Sequence, residues 1–190
     1  MAKQNRPWDP AVLVFVIVCL FIGWFIKASV EGRETTFSDD ESGIILKYPR
    51  GWVTLPQKGA TLSVNNPQCA STFNTRFTIN IHKWNKEVGV NNFITNLSVK
   101  RSSSVSLYRI ISTNPFELSD SEATKLEYAY AIDPIRLSAG AVSIPIVVRA
   151  FDIIVSKDNQ MYVFTFAADE KEFRKNLPKF LSIADSIRMQ

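Results

Sequence analysis

The chain has 190 residues, 46% of them hydrophobic and 12% aromatic, which suits one packed domain with a short appendage and argues against a disordered chain. Its formal charge of +4 is evenly divided: residues 1–33 hold four basic and two acidic side chains, and the remainder holds 18 basic and 16 acidic ones. No run of five like charges occurs and Lys100-Arg101 is the densest basic spot, so the concentrated basic face of a nucleic-acid reader is missing and no nucleic-acid partner is expected.

From Pro10 to Ile26 there is no charged residue, and Ala11 to Ile26 is apolar apart from Gly23. At a rise of about 1.5 Å per residue, this stretch with its flanks reaches the span of about 20 residues that a bilayer core of about 30 Å requires. Trp8 at one end and Trp24 with Lys27 at the other fit interfacial anchoring, with Phe15 and Phe21 among the lipid-facing anchor residues between them. Pro10 suits a first helical turn capped by Asp9. Cleavage as a signal peptide is disfavoured by Trp24, Phe25, Ile26 and Lys27 just before the best site, and a lipoprotein site at Cys19 by the preceding Val18. The expected plan is a cytoplasmic tail over residues 1–9, a single transmembrane helix over 10–30, a polar tether over 31–36 and an extracytoplasmic domain over 37–190. The short tail and slight charge bias set the N-terminus inside and the domain in a periplasm, cell exterior or lumen. Cys19 in the apolar segment and Cys69 in a polar loop would have to bridge membrane and water to pair, so both are expected to be free thiols.

Beyond the tether, Phe37, the turn Asp39-Asp40-Glu41-Ser42-Gly43 and Ile44 to Tyr48 read as strand, turn, strand. Pro49-Arg50-Gly51 turns the chain into Trp52, and Thr61 to Val64 is a short strand. Thr75 to Trp84 alternates cleanly, with Phe77, Ile79 and Ile81 on one face and Arg76, Thr78, Asn80 and His82 on the other. Val90, Phe93, Ile94 and Leu97 predict a helix over Val90 to Ser103, capped by Asn91 or Asn92. Four further strands are predicted over Leu107–Ser112, Lys125–Ile132, Ile144–Ser156 and Met161–Ala167, the last two joined through Asp158-Asn159. Arg149 and Asp152 exclude the third of these as a second membrane span. Phe173, Leu177, Phe180, Leu181, Ala184 and Ile187 form one stripe with Ile183 at its edge, an amphipathic helix bent or restarted at Pro178. Hairpin-linked strands with two covering helices give an α+β fold, an antiparallel sheet in an αβα sandwich.

Two stretches carry a resemblance. The run from Glu41 through Ile-Ile-Leu-Lys-Tyr-Pro to Trp52 is similar to the opening of PsbP-like domains, the family of the extrinsic protein of photosystem II, and the tail from Tyr162 through the helix ending Ser-Ile-Arg188 is similar to that family's last strand and helix. Element order agrees from Phe37 to Arg188, about four-fifths of the chain. The resemblance implies the PsbP-like αβα fold and a binding or assembly role, since family members are mostly extrinsic subunits or assembly factors of photosynthetic complexes. The uncleaved anchor and missing transit peptide depart from the plant proteins and point to a related module on another bacterial membrane complex, of photosynthetic or electron-transfer type.

The residues themselves offer little chemistry. His82 is the only histidine and has no Cys, Asp or Glu within three residues. Asp39-Asp40-Glu41 lacks the spacing of a calcium loop, and Asp169, Glu170 and Glu172 suit a helix N-terminus without further function. No phosphate loop, nucleophile elbow or HExxH occurs, so neither an enzyme nor a cofactor or metal is expected. Tyr48, Trp52, Trp84, Tyr128 and Tyr130 read first as core aromatics and second as the lining of a ligand pocket. Between two strong strands, Asp133 to Ser143 carries Ile135, Leu137, Ala139, Ala141 and Val142 with only Asp133 and Arg136 charged. Such a loop either folds back over a sheet edge or docks a partner, with Ile135, Leu137, Ala139 and Val142 as the contact residues. The expected function is a non-enzymatic, membrane-anchored accessory or assembly subunit, whose partners are the bilayer and the subunits of a larger complex. The alternative is a membrane-tethered small-ligand carrier or sensor.

Overall fold

A computed structural model describes residues 10–31, 33–119, 121–133 and 145–189. Helix α1 (Pro10–Glu31) is 22 residues long, and every side chain described in it, from Val12 to Phe25, is exposed. Among the described residues no helix is long and apolar enough to cross a membrane; the fourteen side chains described in α1 span only about 21 Å. Phe15, Phe21 and Trp24 are among the exposed residues. Trp8 and the side chain of Lys27 lie outside the described part.

The globular part begins sooner than expected. Strand β1 (Glu34–Asp39) takes up half of the segment read as a tether and pairs antiparallel with β2 (Ile44–Pro49). The turn between them is closed by Ser42, whose hydroxyl donates to Asp39, and by Gly43 at φ 65°, a conformation natural to glycine. The acidic trio Asp39-Asp40-Glu41 is thus part of a hairpin turn. Strand β3 (Val53–Thr54) leads into β4 (Leu62–Asn65) and β5 (Arg76–Lys83); helix α2 (Val90–Ser102) follows, and then come the long strands β6 (Ser106–Leu118), β7 (Ser121–Ile132), β8 (Ile146–Lys157) and β9 (Gln160–Asp169). Helix α3 (Glu170–Ser186) and the two-residue β10 (Arg188–Met189) close the described chain.

Strands β3 to β9 form one seven-stranded antiparallel sheet in the order β3-β4-β5-β9-β8-β7-β6, and β1-β2-β10 form a second, smaller one. Asp158 and Asn159, at φ 48° and 58°, make the tight turn between β8 and β9, since both tolerate the left-handed conformation that such a hairpin demands. Period-two alternation sends Phe151, Ile153, Phe164, Phe166, Phe77 and Ile79 to one face of the large sheet, where they meet α3 and the small sheet through Phe173, Phe180, Ile183, Ile44 and Leu46. The opposite face presents Leu126, Tyr128, Tyr130, Val148, Ile154 and Val163 to α2, whose Ile94 is buried there. The large sheet is therefore the middle layer of an αβα sandwich, as expected.

Four local expectations change. Helix α2 starts one residue after Gly89, which sits at φ 73° with no side-chain cap, so Asn91 and Asn92 lie inside the first turn. Helix α3 runs unbroken through Pro178, and Asp169 caps it by accepting from the backbone N–H of Lys171 at 2.9 Å. Along α3 the stripe is rotated: Ile183 is buried at 1% and Leu181 is 39% exposed, because Ile183 shares a face with Phe173, Phe180 and Ala184. Strand β6 continues to Leu118 through Pro115, which the outermost strand tolerates because a residue with a solvent-facing N position needs no donor.

Candidate functional site

The site is built on the α2 side of the sheet. Register aligns Thr78 of β5 with Thr165 of β9, and Thr165 with Asp152 of β8. This face thus carries a row of polar side chains where the other face carries phenylalanines. Asp152 is completely buried, which demands compensation. It receives it from Arg101 of α2, which grips both carboxylate oxygens: Nη1 on Oδ2, and Nη2 on Oδ1 at 3.1 Å. Oδ1 also accepts from Thr165 Oγ1 at 2.8 Å and from the Tyr128 hydroxyl at 3.2 Å. The Arg101 guanidinium lies 4.6 Å over the Tyr128 ring. Burial alone would lower the Arg101 pKa, but Asp152 outweighs it and holds the guanidinium above its usual range. Burial first, and then the Asp152 charge, pushes the Tyr128 phenol well up, so that it stays a donor. This cluster bolts α2 onto the sheet. The signal for it was in the sequence, an isolated acid between Phe151 and Ile153 together with the Lys100-Arg101 pair, since a buried acid requires a partner.

Beside the bolt a cavity of about 310 Å³ opens between the C-terminal half of α2 and the sheet. It forms because the sheet residues there are short or polar: Thr78, Thr165 and Ala167 cannot fill the space that Leu97 and Val105 leave open. Its walls carry Arg76, Lys100 and Arg101 along with the rings of Tyr108, Tyr128 and Tyr130. Arg76 Nη2 donates to the Tyr130 hydroxyl at 3.2 Å, and its guanidinium lies 4.9 Å over Phe73. The face of β5 that alternation marks as polar therefore lines an interior space, with Thr78 only 5% exposed.

His82 is also on this wall, half-buried, with its ring 5.5 Å from that of Phe93. Burial, then the charges of Lys100 and Arg101, lower its pKa from 6.5. The cations around it favour the neutral imidazole, and among the described residues no Asp or Glu lines the cavity beside it. As the only histidine, it reports on the cavity directly. Its proton NMR titration is expected to have a midpoint below 6.5. Because the folded pKa is depressed, protonation favours the unfolded chain. The stability that neutral His82 contributes is present above about 6.5 and is lost as the pH falls through the folded value. A midpoint at or above the free value would show that burial and the two cations do not govern the ring.

The other sequence candidates are dispersed. Trp52 is in the α3-side core against Phe180, with ring centroids 6.3 Å apart, and Tyr48 packs at that core's margin. Trp84 is half-buried on the α2 side. Tyr128 and Tyr130 alone of the five reach the cavity, so the core and pocket readings each hold for part of the set. Cys19 and Cys69 are both free, and Cys69 Sγ accepts from the Thr75 N–H at 3.2 Å. Ile135, Leu137, Ala139, Ala141 and Val142 lie outside the described residues. Among the described residues no three His, Cys, Asp or Glu side chains are placed to hold a metal ion.

A central antiparallel sheet with α3 on one face and α2 on the other is the PsbP-like α+β fold, and solved structures bear out that likeness at the level of the fold. The solution structure of cyanobacterial PsbP (CyanoP) from Synechocystis sp. PCC 6803 superposes with a TM-score of 0.58 at 14% identity, covering 83% of this chain and 92% of that one. LpqN, involved in cell envelope biogenesis of Mycobacterium tuberculosis, gives 0.53 at 12% identity over 83% of this chain and 91% of its own. The Saccharomyces cerevisiae Ran-binding protein Mog1p gives 0.52 at 7% identity over 83% and 95%. No protein-family model and no curated protein matches the sequence.

Proposed function

We propose that this chain is a non-enzymatic accessory or assembly subunit, held to a membrane by α1, whose extracytoplasmic αβα domain caps or stabilises a larger membrane complex, of photosynthetic or electron-transfer type. The observation that carries the reading is α1 itself. Twelve of the fourteen residues from Val12 to Phe25 are large hydrophobics that are more than 40% exposed all round the helix. A helix apolar on every side from Val12 to Phe25 needs an apolar surrounding, and the apolar sequence on either side extends that stretch toward the span of about 20 residues that a bilayer core requires. The lone histidine without an acid partner and the structural employment of Asp152 favour a binding role over catalysis. The structural neighbour involved in cell envelope biogenesis is in keeping with an envelope-associated module.

Within this reading the apolar loop carrying Ile135, Leu137, Ala139 and Val142 supplies the docking contact. Each large aliphatic buried contributes roughly 1.5–3 kcal/mol before association costs, and the anchor raises the effective concentration. The chain is expected to stay with membranes through a carbonate wash and, tagged after Gln190 and purified in mild detergent, to bring stoichiometric partners. Ile135→Ser with Leu137→Ser should release those partners while leaving the melting temperature nearly unchanged. A clean monomer from native membranes would sink the subunit reading. A double variant that melts several degrees lower would assign the loop to the core.

A further inference from the structure

We propose that the cavity between α2 and the sheet is a binding site for a small organic anion, one phosphate or carboxylate head on a compact apolar body. The inference is independent of how the chain is anchored and of which complex it joins. Three features of the cavity define the ligand. Its volume of about 310 Å³ lies at the lower end of the range for small-molecule sites, room for a ring and a head group and little more.

Its charge is unbalanced. Among the described residues Arg76 and Lys100 make no salt bridge, and the carboxylate that the site does hold, Asp152, is already saturated by Arg101, Thr165 and Tyr128. Among the described residues two cations therefore line the same space with no anion paired to them. Half-buried Arg76 presents a planar fork suited to a phosphate or carboxylate, and exposed Lys100 adds a second positive charge at the rim of the same space.

The third feature is the split of the lining. Leu97, Val105, Val163 and Ala167 give an apolar wall against which a short hydrocarbon or ring can lie, while Tyr108 and Tyr130 add aromatic edges and hydroxyls. A metal cation would be repelled by this arrangement, and a bare inorganic anion would leave the apolar wall unused.

Calorimetry on the full chain in neutral detergent, with phenyl phosphate as the probe and benzyl alcohol as its neutral counterpart, tests this at matched ionic strength. Phenyl phosphate is expected to bind saturably and at least about tenfold more tightly than benzyl alcohol, the value of one charge-assisted hydrogen bond. Lys100→Gln and Arg76→Gln should each weaken it about tenfold, and Arg76→Lys should recover part of the loss. Lys100 is exposed, so its variant keeps the test meaningful if Arg76→Gln folds poorly. Bound phosphate should also raise the His82 midpoint, because its charge opposes that of Lys100 and Arg101. Repeating the titration in phosphatidylglycerol and phosphatidylcholine nanodiscs separates two sources: weaker probe binding in the first marks a lipid head group as occupant, and equal binding marks a dissolved anion. No saturable binding up to about 10 mM, benzyl alcohol binding as well as phenyl phosphate, or unchanged affinity in a folded Lys100→Gln would overturn the assignment.

Discussion

Removing Arg101 is expected to destabilise the domain more than removing Asp152, although each breaks the same pair. Arg101→Met leaves a carboxylate that is 0% exposed with only two hydroxyl donors, whereas Asp152→Asn leaves a guanidinium whose side chain is still 20% exposed and can recover water. Breaking a buried pair from one side costs about 3–5 kcal/mol, so Arg101→Met should approach that range and Asp152→Asn should fall well below it. The double variant Arg101→Met with Asp152→Leu should recover much of the loss, because two apolar residues of similar volume remove both desolvation costs. Thermal unfolding of the unaltered chain and the three variants in detergent measures these differences. Equal losses from the two single variants would show that water reaches Asp152 and that the bolt is a surface contact.

This pair also marks the limit of what local pattern reveals. Strand β5, the Asp158-Asn159 hairpin and the helical period of α3, though not the exact face it buries, were legible because each rests on a period or a turn residue within a dozen positions. So were the antiparallel sheet and its two covering helices, through the succession of those periods. The cavity was not legible, because Arg76, Thr78, Asn80 and His82 alternate with buried residues as a solvent-facing row does. Only the packing of α2 across them turns that row inward, and alternation cannot distinguish water from a second layer that leaves a gap. Arg101 and Asp152 are 51 residues apart and meet only after that layer is in place. The extension of β6 was hidden by Asn114-Pro115, which reads as a break unless the strand is known to be at the edge. The start of β1 was hidden by the polar Glu34, Thr35 and Thr36, whose pairing with Pro49, Tyr48 and Lys47 supplies what their side chains do not.

The rotation of α3 gives the other large effect, and two neighbouring residues decide it. Phe180 is fully buried, with its ring centroid 5.2 Å from that of Phe166, 6.1 Å from Phe151, 6.3 Å from Trp52 and 6.3 Å from Phe173. It joins α3 to the middle strands and to the turn after β2 at once, and T-shaped contacts to Phe151 and Trp52 add to the area it buries. Phe180→Ala should therefore cost about 3–5 kcal/mol, since rigid rings on several sides cannot collapse into the space it leaves. For a domain of this size that is a fall in melting temperature on the order of 10 °C. Leu181, one position on, looks equally apolar in the sequence but points 100° away around the helix and is 39% exposed. Leu181→Ala should change stability by no more than about 0.5 kcal/mol. Circular dichroism melts of both variants beside Ile183→Ala, expected to cost about 2–5 kcal/mol, read the face directly. If Leu181→Ala proved as costly as Ile183→Ala, the helix would be packed on the stripe that runs through Leu181, and α3 would be rotated from the position described.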